Sequence, residues 1–299
     1  MTAATTLPVA SVGIDLPFAL LRASGRYAGP LGWTIDREFP RAAQWLESKF
    51  PLWAFSLVED WAEGAFDQLG AVVFSRGDDA AQRLYYYLCE LRERGLVSGP
   101  EPLIFDVAHI ARASSEARSI DAVRRLAAVL GVSADAAEAA IAATPPPVPH
   151  TSGARNCLLA GTPAPDRRLH DAIARAGWTP HGATLAELWS EASAPLVEAG
   201  TGDPFAAIGR AVHQARTGPR AFGDRKVALA EAVRAAKASR AVLWYAEEDE
   251  AEVWNLPGQR EQLQAMGVPA LVLTRASWRA DDGAPERIAA FLAEAEVAA

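Results

Sequence analysis

Short apolar runs alternate with amphipathic segments from about residue 71 onward, and this alternation constrains the fold more than any other feature of the chain. The runs are AVVFS (71–75), PLIFDV (102–107), NCLLAG (156–161), RAVLWY (240–245) and PALVLT (269–274). Each has the length and composition of a strand buried on both faces. Strands separated by helices pair in parallel, because each crossover returns the chain to the same edge of the sheet. The sequence therefore predicts an α/β protein with parallel sheets covered by helices.

The segments between the apolar runs carry the spacing and the end signals of helices. In the segment 79–94, leucines recur on one face and Gly95 follows as a stop signal. Ser133 and Asp203 are predicted N-caps, and Pro204 stands at a first helical position. Residues 16–48 combine short helical patterns with turns. Helices are predicted within 50–70 and over 79–94, 120–130, 166–176, 224–239, 258–267 and 284–296.

A proline-dense segment, TPPPVPHTSG at residues 144–153, interrupts this alternation. Proline cannot continue a helix and stiffens an extended connection, so the segment predicts a domain boundary. We therefore predict an N-terminal α/β lobe over residues 1–150 and a C-terminal α/β lobe over residues 151–299. The alternation restarts after the boundary, which is typical of two similar α/β units.

Composition excludes several classes of function. The net charge is −8 and no basic stripe is visible, so we expect no nucleic-acid binding, which requires displacement of counterions by basic groups. A phosphate-bearing small molecule stays open, because one or two arginines with a helix N-terminus suffice for it. No apolar run approaches the ~20 residues of a membrane span, and the N-terminus lacks a signal-peptide pattern. We therefore expect a cytoplasmic protein without membrane contact.

Polar turns directly after the predicted strands are the first candidate site, because α/β proteins bind ligands at the carboxyl ends of strands. Ser75, Asp78 and Asp79 lie at the end of the first apolar run, and Gly161 and Thr162 lie at the end of the third. The alternative for the aspartates is a plain N-cap of the next helix. The alternative for Gly161 and Thr162 is an ordinary turn between a strand and a helix, since neither a GxGxxG fingerprint nor a P-loop is present.

An acidic stretch is the second candidate site. Five carboxylates lie between Glu247 and Glu252, shortly after Trp244, and Glu248 and Asp249 are the acid–base candidates among them. Hard metal ions bind such oxygens. A solvated acidic helix start explains the same pattern, because carboxylates favour helix N-termini.

Histidines and arginines complete the candidates. Of the five histidines, no two have the separation of three to five residues that is typical of paired zinc ligands. His109, just after the second apolar run, is the best placed for catalysis. Arg76 and Arg83 are candidates for ligand phosphates, because guanidinium groups match phosphate oxygens. The alternative interpretation of both arginines is that they are solvated surface charges that bind no ligand.

Four segments together carry a family resemblance. They are GAFDQLGAVVFSRGDDAAQRLYYYLCEL, PLIFDVAHIARASSEARSIDAVRRLAAVLG, LLAGTPAPDRRLHDAIARAGW and AVRAAKASRAVLWYAEEDEAEVWNLPGQREQLQAMGVPALVLT. In order and spacing, the chain resembles the 2-hydroxyacyl-CoA dehydratase/benzoyl-CoA reductase subunit family. The resemblance implies two flavodoxin-like (Rossmann-like) parallel-sheet lobes facing a cleft. It also implies an iron–sulfur cluster in that cleft, paired related subunits, acyl-CoA thioester substrates and a separate ATP-driven activator that supplies one electron.

The chain departs from this family in its cysteines. Where the family usually has a cysteine–aspartate pair after the first strand, this chain has Gly77 and Asp78. The other expected cysteine positions, near residues 50–51, within 181–189 and after 240–245, also lack cysteine. Cys89 falls in a predicted helix and Cys157 in a predicted strand, where packing is the default role. Clusters are held chiefly by thiolates, so we expect no [4Fe–4S] cluster in this chain and assign any such cluster to a partner subunit.

Three candidate functions follow from this resemblance and from the absence of the cysteines that the family usually has. The first is a cluster-free subunit of a hetero-oligomeric acyl-CoA enzyme, which completes the cleft or binds the CoA thioester beside a related subunit. The second is a self-sufficient hydratase, lyase or thioesterase, with acid–base groups among Asp78, Asp79, His109, Glu248 and Asp249. The third is a binding or scaffold protein without chemistry. Candidate ligand contacts are Ser75, Arg76, Arg83, Gly161, Thr162 and Trp244.

Overall fold

The structure is a computed structural model, and it describes residues 7–144, 153, 155–215 and 223–297. The chain divides into two compact units. Unit 1 consists of Met1–Pro147 and Leu188–Phe222, and unit 2 consists of Val148–Glu187 and Gly223–Ala299. Each unit contains one four-stranded parallel sheet with helices around it, which confirms the predicted α/β class. Most of the proline-dense segment lies outside the described residues.

The sheet of unit 1 has four parallel strands. They are β1 (Val9–Val12), β2 (Tyr27–Pro30), β3 (Ala71–Ser75) and β4 (Glu101–Phe105), and their order is β2-β1-β3-β4. The central strands β1 and β3 are buried along nearly their whole length, as strands covered on both faces must be. The order is that of a flavodoxin-like sheet, in which the chain first moves to one side of β1 and then to the other.

The sheet of unit 2 repeats this arrangement. Its strands are β5 (Asn156–Gly161), β6 (Thr179–His181), β7 (Arg240–Ala246) and β8 (Ala270–Ala276), in the order β6-β5-β7-β8, all parallel. In both units the second strand of the unit lies at one edge and the first and third strands pair in the centre. The described strands therefore form two copies of one topology, as the restarted alternation predicts.

Helices connect the strands in both units. In chain order they are α1 (Phe18–Ala23), α2 (Ala42–Trp45), α3 (Leu52–Ala62), α4 (Asp79–Glu93), α5 (Ala113–Leu130), α6 (Ala134–Ala142), α7 (Arg168–Arg175), α8 (Leu185–Leu188), α9 (Pro204–Gln214), α10 (Arg225–Ala236), α11 (Glu250–Val253), α12 (Leu256–Ala265) and α13 (Ala284–Val297), with a 3₁₀ turn at Glu191–Ser193. The predicted N-caps Ser133 and Asp203 each accept a hydrogen bond from the first turn of their helix.

Residues 188–215 lie in unit 1, although the sequence-based boundary after residue 150 assigns them to the second lobe. The reason is the packing of α9 on α5. A Cβ atom at Gly209 would lie 2.6 Å from the Cα atom of Ile120, so the two helices meet backbone to backbone. Ile208 and Val212 enter the unit 1 core beside them. Burial of α9 against α5 therefore places residues 188–215 in unit 1. The amino-acid composition of this segment does not indicate that packing.

Two glycines occupy matching positions at the centre of the two sheets. Gly13 follows β1 with a φ of 98°, and Gly161 ends β5 with a φ of 99°. A Cβ atom at Gly13 would lie 2.9 Å from the Cβ atom of Ser75, and one at Gly161 would lie 2.3 Å from the carbonyl oxygen of Trp244. Only glycine adopts this backbone and this contact without strain. The close approach joins the first and third strands at the switch point, where ligands bind in such sheets.

The structure differs from the sequence-based elements in three strands, in the start of one helix and in the short helices α8 and α11, which are not predicted. The strands β1, β2 and β6 are not predicted. The run 71–75, which the sequence presents as the first strand, is therefore the third strand of unit 1. The helix α5 begins at Ala113 rather than at residue 120. The remaining predicted strands and helices occur close to their predicted positions.

Candidate functional site

The carboxyl edge of the unit 1 sheet carries an open pocket of about 1160 Å³. Its walls come from the loop after β3, the loop after β4 and the adjoining face of α5. Loops at this edge can carry polar groups toward a ligand while the strands hold the loops in place. The pocket therefore lies at the kind of edge where the sequence argument expects a site.

Arginine dominates the charged residues of the pocket. The arginines are Arg76, Arg112, Arg118 and Arg125, and the acidic residues are Asp106 and Asp121. The lining thus has two more positive than negative charges, in a chain whose net charge is −8. A local positive excess in an acidic protein is typical of an anion-binding site.

Asp106 restrains two of these arginines. It accepts a hydrogen bond from Arg76 Nη1 at 2.6 Å and another from Arg118 Nε at 3.1 Å, and Arg118 Nη2 also donates to it. Ion pairs this close to solvent contribute at most about 1 kcal/mol each to stability. Their main effect here is to limit the positions that the two guanidinium groups can take.

Arg112 and Arg125 differ from the two arginines that Asp106 binds. Within the described ranges, no carboxylate lies at ion-pair distance from either guanidinium group. Arg112 Nε donates to Ser115 Oγ at 3.1 Å. Arg112 also occupies the N-cap position of α5, and no side chain caps this end of the helix. The N–H groups of an uncapped first turn and the positive end of the helix dipole both favour an anion.

A buried histidine–aspartate pair adjoins the pocket. His109 lines the pocket from the loop after β4, and its Nε2 atom lies 3.1 Å from Oδ2 of Asp15 in the loop after β1. The two side chains are 4% and 2% exposed, respectively. The distance is that of an ion pair, although the two atoms do not meet hydrogen-bond geometry. The other ring nitrogen of His109, Nδ1, is buried and has no hydrogen-bond partner in the described part of the chain.

Gly77 lets Asp15 come close to the pocket wall. Gly77 lines the pocket, and a Cβ atom there would lie 3.1 Å from Asp15 Oδ2 and 3.2 Å from Ser75 Oγ. Asp15 itself has a φ of 55°, a left-handed conformation that non-glycine residues seldom adopt. The pair therefore lies just behind the pocket surface that Gly77 forms.

The predicted residues of the turn after β3 have structural roles in this geometry. Ser75 is buried, and its Oγ accepts a hydrogen bond from the N–H of Gly77 at 2.9 Å. Asp78 caps α4 by accepting a hydrogen bond from the first turn at 3.0 Å, so the plain N-cap alternative describes it. Asp79 is exposed in that first turn. The residues that this turn contributes to the pocket lining are Arg76 and Gly77.

Arg83 is engaged elsewhere. Its guanidinium carbon lies 4.2 Å from the centroid of the Phe50 ring, and its Nη2 atom lies 3.3 Å from Glu47 Oε1. Stacking and ion pairing account for its position, and it is outside the set of residues that lines the arginine pocket. The predicted phosphate contact is therefore not supported at Arg83.

Unit 2 brings two predicted residues together at the corresponding edge of its own sheet. The N–H of Thr162 donates to the carbonyl oxygen of Trp244 at 2.8 Å, and its Oγ1 donates to Asp249 Oδ2 at 2.7 Å. Asp249 is also the N-cap of α11 and accepts a hydrogen bond from the N–H of Glu252 at 3.3 Å. Residues from two separate candidate segments thus form one hydrogen-bonded turn next to Gly161.

Burial raises the pKa of three carboxylates in the acidic stretch. Loss of surrounding water raises the pKa of Glu248, of Asp249 and of Glu252 above its ordinary value. Glu248 accepts a hydrogen bond from Trp278 Nε1 at 2.6 Å, and Glu252 lies 3.3 Å from Arg225 Nη2. These contacts offset only part of the loss of water. The acidic stretch is therefore a helix start, with Asp249 as the N-cap of α11, but these three carboxylates are half-buried and not fully solvated.

The substitution Glu248→Gln is expected to remove part of the pH dependence of stability. Because burial raises the pKa of Glu248, the folded state binds this proton more tightly than the unfolded state. Its contribution favours folding below the ordinary value of 4.5 and is lost as the pH rises through the raised pKa. The free energy of unfolding of the variant, relative to that of the wild type, should therefore be higher at about pH 7 than at about pH 4, because the wild type loses the contribution of the raised pKa as the pH rises. Denaturant titrations of the variant and the wild type at both pH values measure this difference. A difference that is the same at both pH values would contradict the prediction. The control is Glu231→Gln, which replaces an exposed carboxylate on α10.

Trp244 and the two cysteines are packing residues. Trp244 is fully buried, with its ring edge-on to Trp278 at a centroid distance of 5.8 Å, so the predicted ligand contact is not supported. Burial raises the pKa of the Cys157 thiol to about 12, which disfavours the thiolate that iron requires. Cys89 is half-buried in α4 beside Tyr85. These residues do not fit the ligand set of an iron–sulfur cluster.

Sequence reasoning missed Asp15, Arg112, Arg118 and Arg125. A signal for two of them is present, because Arg118 and Arg125 stand seven residues apart and so fall on one face of a helix. The helix predicted over 120–130 begins too late to include Arg118, and the pattern is lost. Asp15 has no local signal, since its role depends on a contact with a loop that is distant in sequence.

Comparisons with known proteins do not assign the chain to a family. No family model matches it, and a search of curated proteins finds no significant match. In the described part of the chain, no three histidine, cysteine, aspartate or glutamate side chains are grouped so that they could hold a metal ion. No helix there is long and apolar enough to cross a membrane.

Proposed function

We propose that unit 1 binds the phosphate groups of a CoA thioester in the arginine pocket, and that the chain is a cluster-free subunit of an acyl-CoA enzyme. The observation that carries this proposal is the positive excess of the pocket in a chain of net charge −8. Guanidinium groups bind phosphate oxygens with two parallel hydrogen bonds, and four of them line this one pocket. The sequence resemblance supplies the acyl-CoA part of the proposal.

The dimensions of the pocket suit a long ligand that carries several phosphate groups. A volume of about 1160 Å³ is slightly larger than the roughly 300–1,000 Å³ of most small-molecule sites. Arg125 stands twelve residues after the first residue of α5, which corresponds to about 18 Å along a helix. The phosphates of CoA would lie along the arginines of α5, from Arg112 at its N-terminus to Arg118 and Arg125.

The proposal assigns no redox step to this chain. Cys89 and Cys157 do not fit cluster ligation, so a [4Fe–4S] cluster, where the chemistry uses one, would belong to a related partner subunit. Such a hetero-oligomer, and a cytoplasmic location in which acyl-CoA is available, are parts of the same proposal. The facing cleft implied by the resemblance stays a prediction.

Titration calorimetry with CoA, acetyl-CoA and pantetheine tests the proposal. We expect CoA and acetyl-CoA to bind and pantetheine, which lacks the phosphates, to bind at least about tenfold more weakly, because each lost charged hydrogen bond removes about 1.5 kcal/mol or more. Binding should also weaken as salt is raised, since the pocket is open to solvent. Equal affinity for pantetheine, or no binding of CoA, would contradict the proposal. ADP as a further ligand separates a general nucleotide site from a CoA site.

A further inference from the structure

We propose that Asp106 makes the arginine pocket selective for phosphate monoesters over sulfate and phosphate diesters. A phosphate monoester can keep one proton near neutral pH, and its P–OH group donates a hydrogen bond to the Asp106 carboxylate. Sulfate and phosphate diesters carry no such proton. The inference rests on the proposed function, because it requires a phosphate group in this pocket, and it deepens that function by naming the class of phosphate that the pocket takes.

The pairing of β3 with β4 places Asp106 beside Arg76. The two residues directly follow these strands, whose last residues, Ser75 and Phe105, are register partners. The N–H of Arg76 donates to the carbonyl oxygen of Phe105 at 3.1 Å, so the backbone there continues the sheet. The two side chains then meet in the pocket, with Arg76 Nη1 2.6 Å from Asp106 Oδ1.

Arg118 approaches the same carboxylate from α5. Its Nε atom donates to Asp106 Oδ2 at 3.1 Å, and its Nη2 atom donates to the same oxygen. The side chains of Arg76, Asp106 and Arg118 are 41%, 21% and 55% exposed, respectively, so a ligand in the pocket reaches all three of them. An anion that binds either guanidinium group therefore lies next to the carboxylate.

The Asp106 carboxylate decides which anions are favoured at this place. An ionised carboxylate accepts about four hydrogen bonds and donates none. In the described part of the chain, Asp106 receives three, one on Oδ1 and two on Oδ2, which leaves an acceptor position on Oδ1. A ligand oxygen that carries a proton can use this position in a short, charge-assisted hydrogen bond. An unprotonated oxygen meets electrostatic repulsion there.

Selectivity of this kind identifies one group of CoA. Its 3′-phosphate is a monoester, with a second pKa of about 6. The two phosphates of its diphosphate bridge are each linked on two sides and stay unprotonated near neutral pH. The 3′-phosphate is therefore the group that binds at Asp106, between Arg76 and Arg118.

Titration calorimetry on the full chain with two pairs of ligands tests the selectivity. The pairs are inorganic phosphate against sulfate and 3′-AMP against 3′,5′-cyclic AMP, at about pH 6, where about half of a phosphate monoester is protonated. We expect phosphate and 3′-AMP to bind at least about tenfold more tightly than sulfate and cyclic AMP, respectively, which is the usual effect of one hydrogen bond to a charged group. Sulfate carries more negative charge than phosphate at this pH, so charge alone predicts the opposite order for that pair.

The substitution Asp106→Asn separates the acceptor role from a structural role. An amide can also donate a hydrogen bond, so the ratio of the phosphate affinity to the sulfate affinity should fall to about one. Loss of arginine positioning alone would change both affinities by the same factor, and an unchanged ratio would overturn the inference. Asp121→Asn is the matched control, because Asp121 lines the same pocket but pairs with Arg124, at 3.5 Å, and its loss should leave the ratio at the wild-type value.

CoA and dephospho-CoA distinguish this inference from the proposed function. We expect CoA to bind at least about tenfold more tightly than dephospho-CoA, which lacks the 3′-phosphate. A wild type that binds both equally, or that binds sulfate as tightly as phosphate, overturns this inference and leaves the proposed function standing. A wild type that selects phosphate over sulfate and does not bind CoA contradicts the proposed function alone. Binding of none of these ligands contradicts both.

Discussion

Replacing Gly161 with alanine will lower the free energy of unfolding of unit 2 by about 3 kcal/mol or more, which places it among the largest effects expected of single substitutions. The φ of Gly161 is 99°, outside the regions that residues with a Cβ atom adopt readily. The added Cβ would lie 2.3 Å from the carbonyl oxygen of Trp244 and 3.2 Å from its nitrogen. Both are backbone atoms of a central strand, so neither can move without breaking the β5–β7 pairing.

Gly177→Ala provides the matched control for this experiment. Gly177 also has a positive φ, of 78°, but nothing lies within 4 Å of its added Cβ. It should therefore show only the backbone penalty, about 1 kcal/mol. Urea unfolding monitored by circular dichroism measures both variants, with a two-transition fit where the two units unfold separately. Equal losses in the two variants would show that the contact with Trp244 contributes nothing.

The long apolar strands were predictable because their composition alone identifies them. The strands β3, β5 and β7 are runs of valine, leucine and aromatic residues between clear turn signals. The edge strands β2 and β6 were missed because they are short and contain proline, which is tolerated at a sheet edge. Their sequences, YAGP and TPH, resemble turns. They are strands because a neighbouring strand offers them hydrogen bonds.

The candidate site was predictable only in its location. That polar turns follow β3 and β5 is readable from the sequence, and the structure places both turns at sheet edges. Which side chains line the pocket depends on the start of α5, and which group lies behind it depends on the approach of Asp15 to His109. The first is a helix boundary, which sequence reasoning places least well. The second is a contact between loops far apart in sequence, for which single-sequence patterns carry no information.

The two units show how one topology can support opposite electrostatics. Both have the same strand order and a positive-φ glycine at the end of the first strand. Unit 1 places arginines around its carboxyl edge, whereas unit 2 places half-buried carboxylates there, of which Glu248 is one. An anionic ligand is repelled by the second arrangement and attracted by the first. The assignment of phosphate binding to unit 1 follows from this difference in charge, because the fold is the same in both.

The double substitution Arg118→Ala/Arg125→Ala is therefore expected to weaken CoA binding about 100-fold. Each arginine is exposed on α5, and each charged hydrogen bond to phosphate is worth about 1.5 kcal/mol at the low end, or roughly tenfold in affinity. The loss of Arg118 also leaves Asp106 with Arg76 as its remaining partner among the arginines of the pocket, which adds repulsion toward an anion. Titration calorimetry at low salt measures the change.

The same variant separates binding from folding. Exposed side chains on a helix surface contribute within about 0.5 kcal/mol to stability, so the melting temperature should hardly change. The control is Arg260→Ala/Arg287→Ala, which removes two exposed arginines from α12 and α13 of unit 2 and alters the net charge by the same amount. A drop in affinity confined to the α5 variant identifies the pocket, since the long-range charge effect is equal in both. Equal drops would assign the effect to net charge, and unchanged binding in a folded α5 variant would move the phosphate site away from α5.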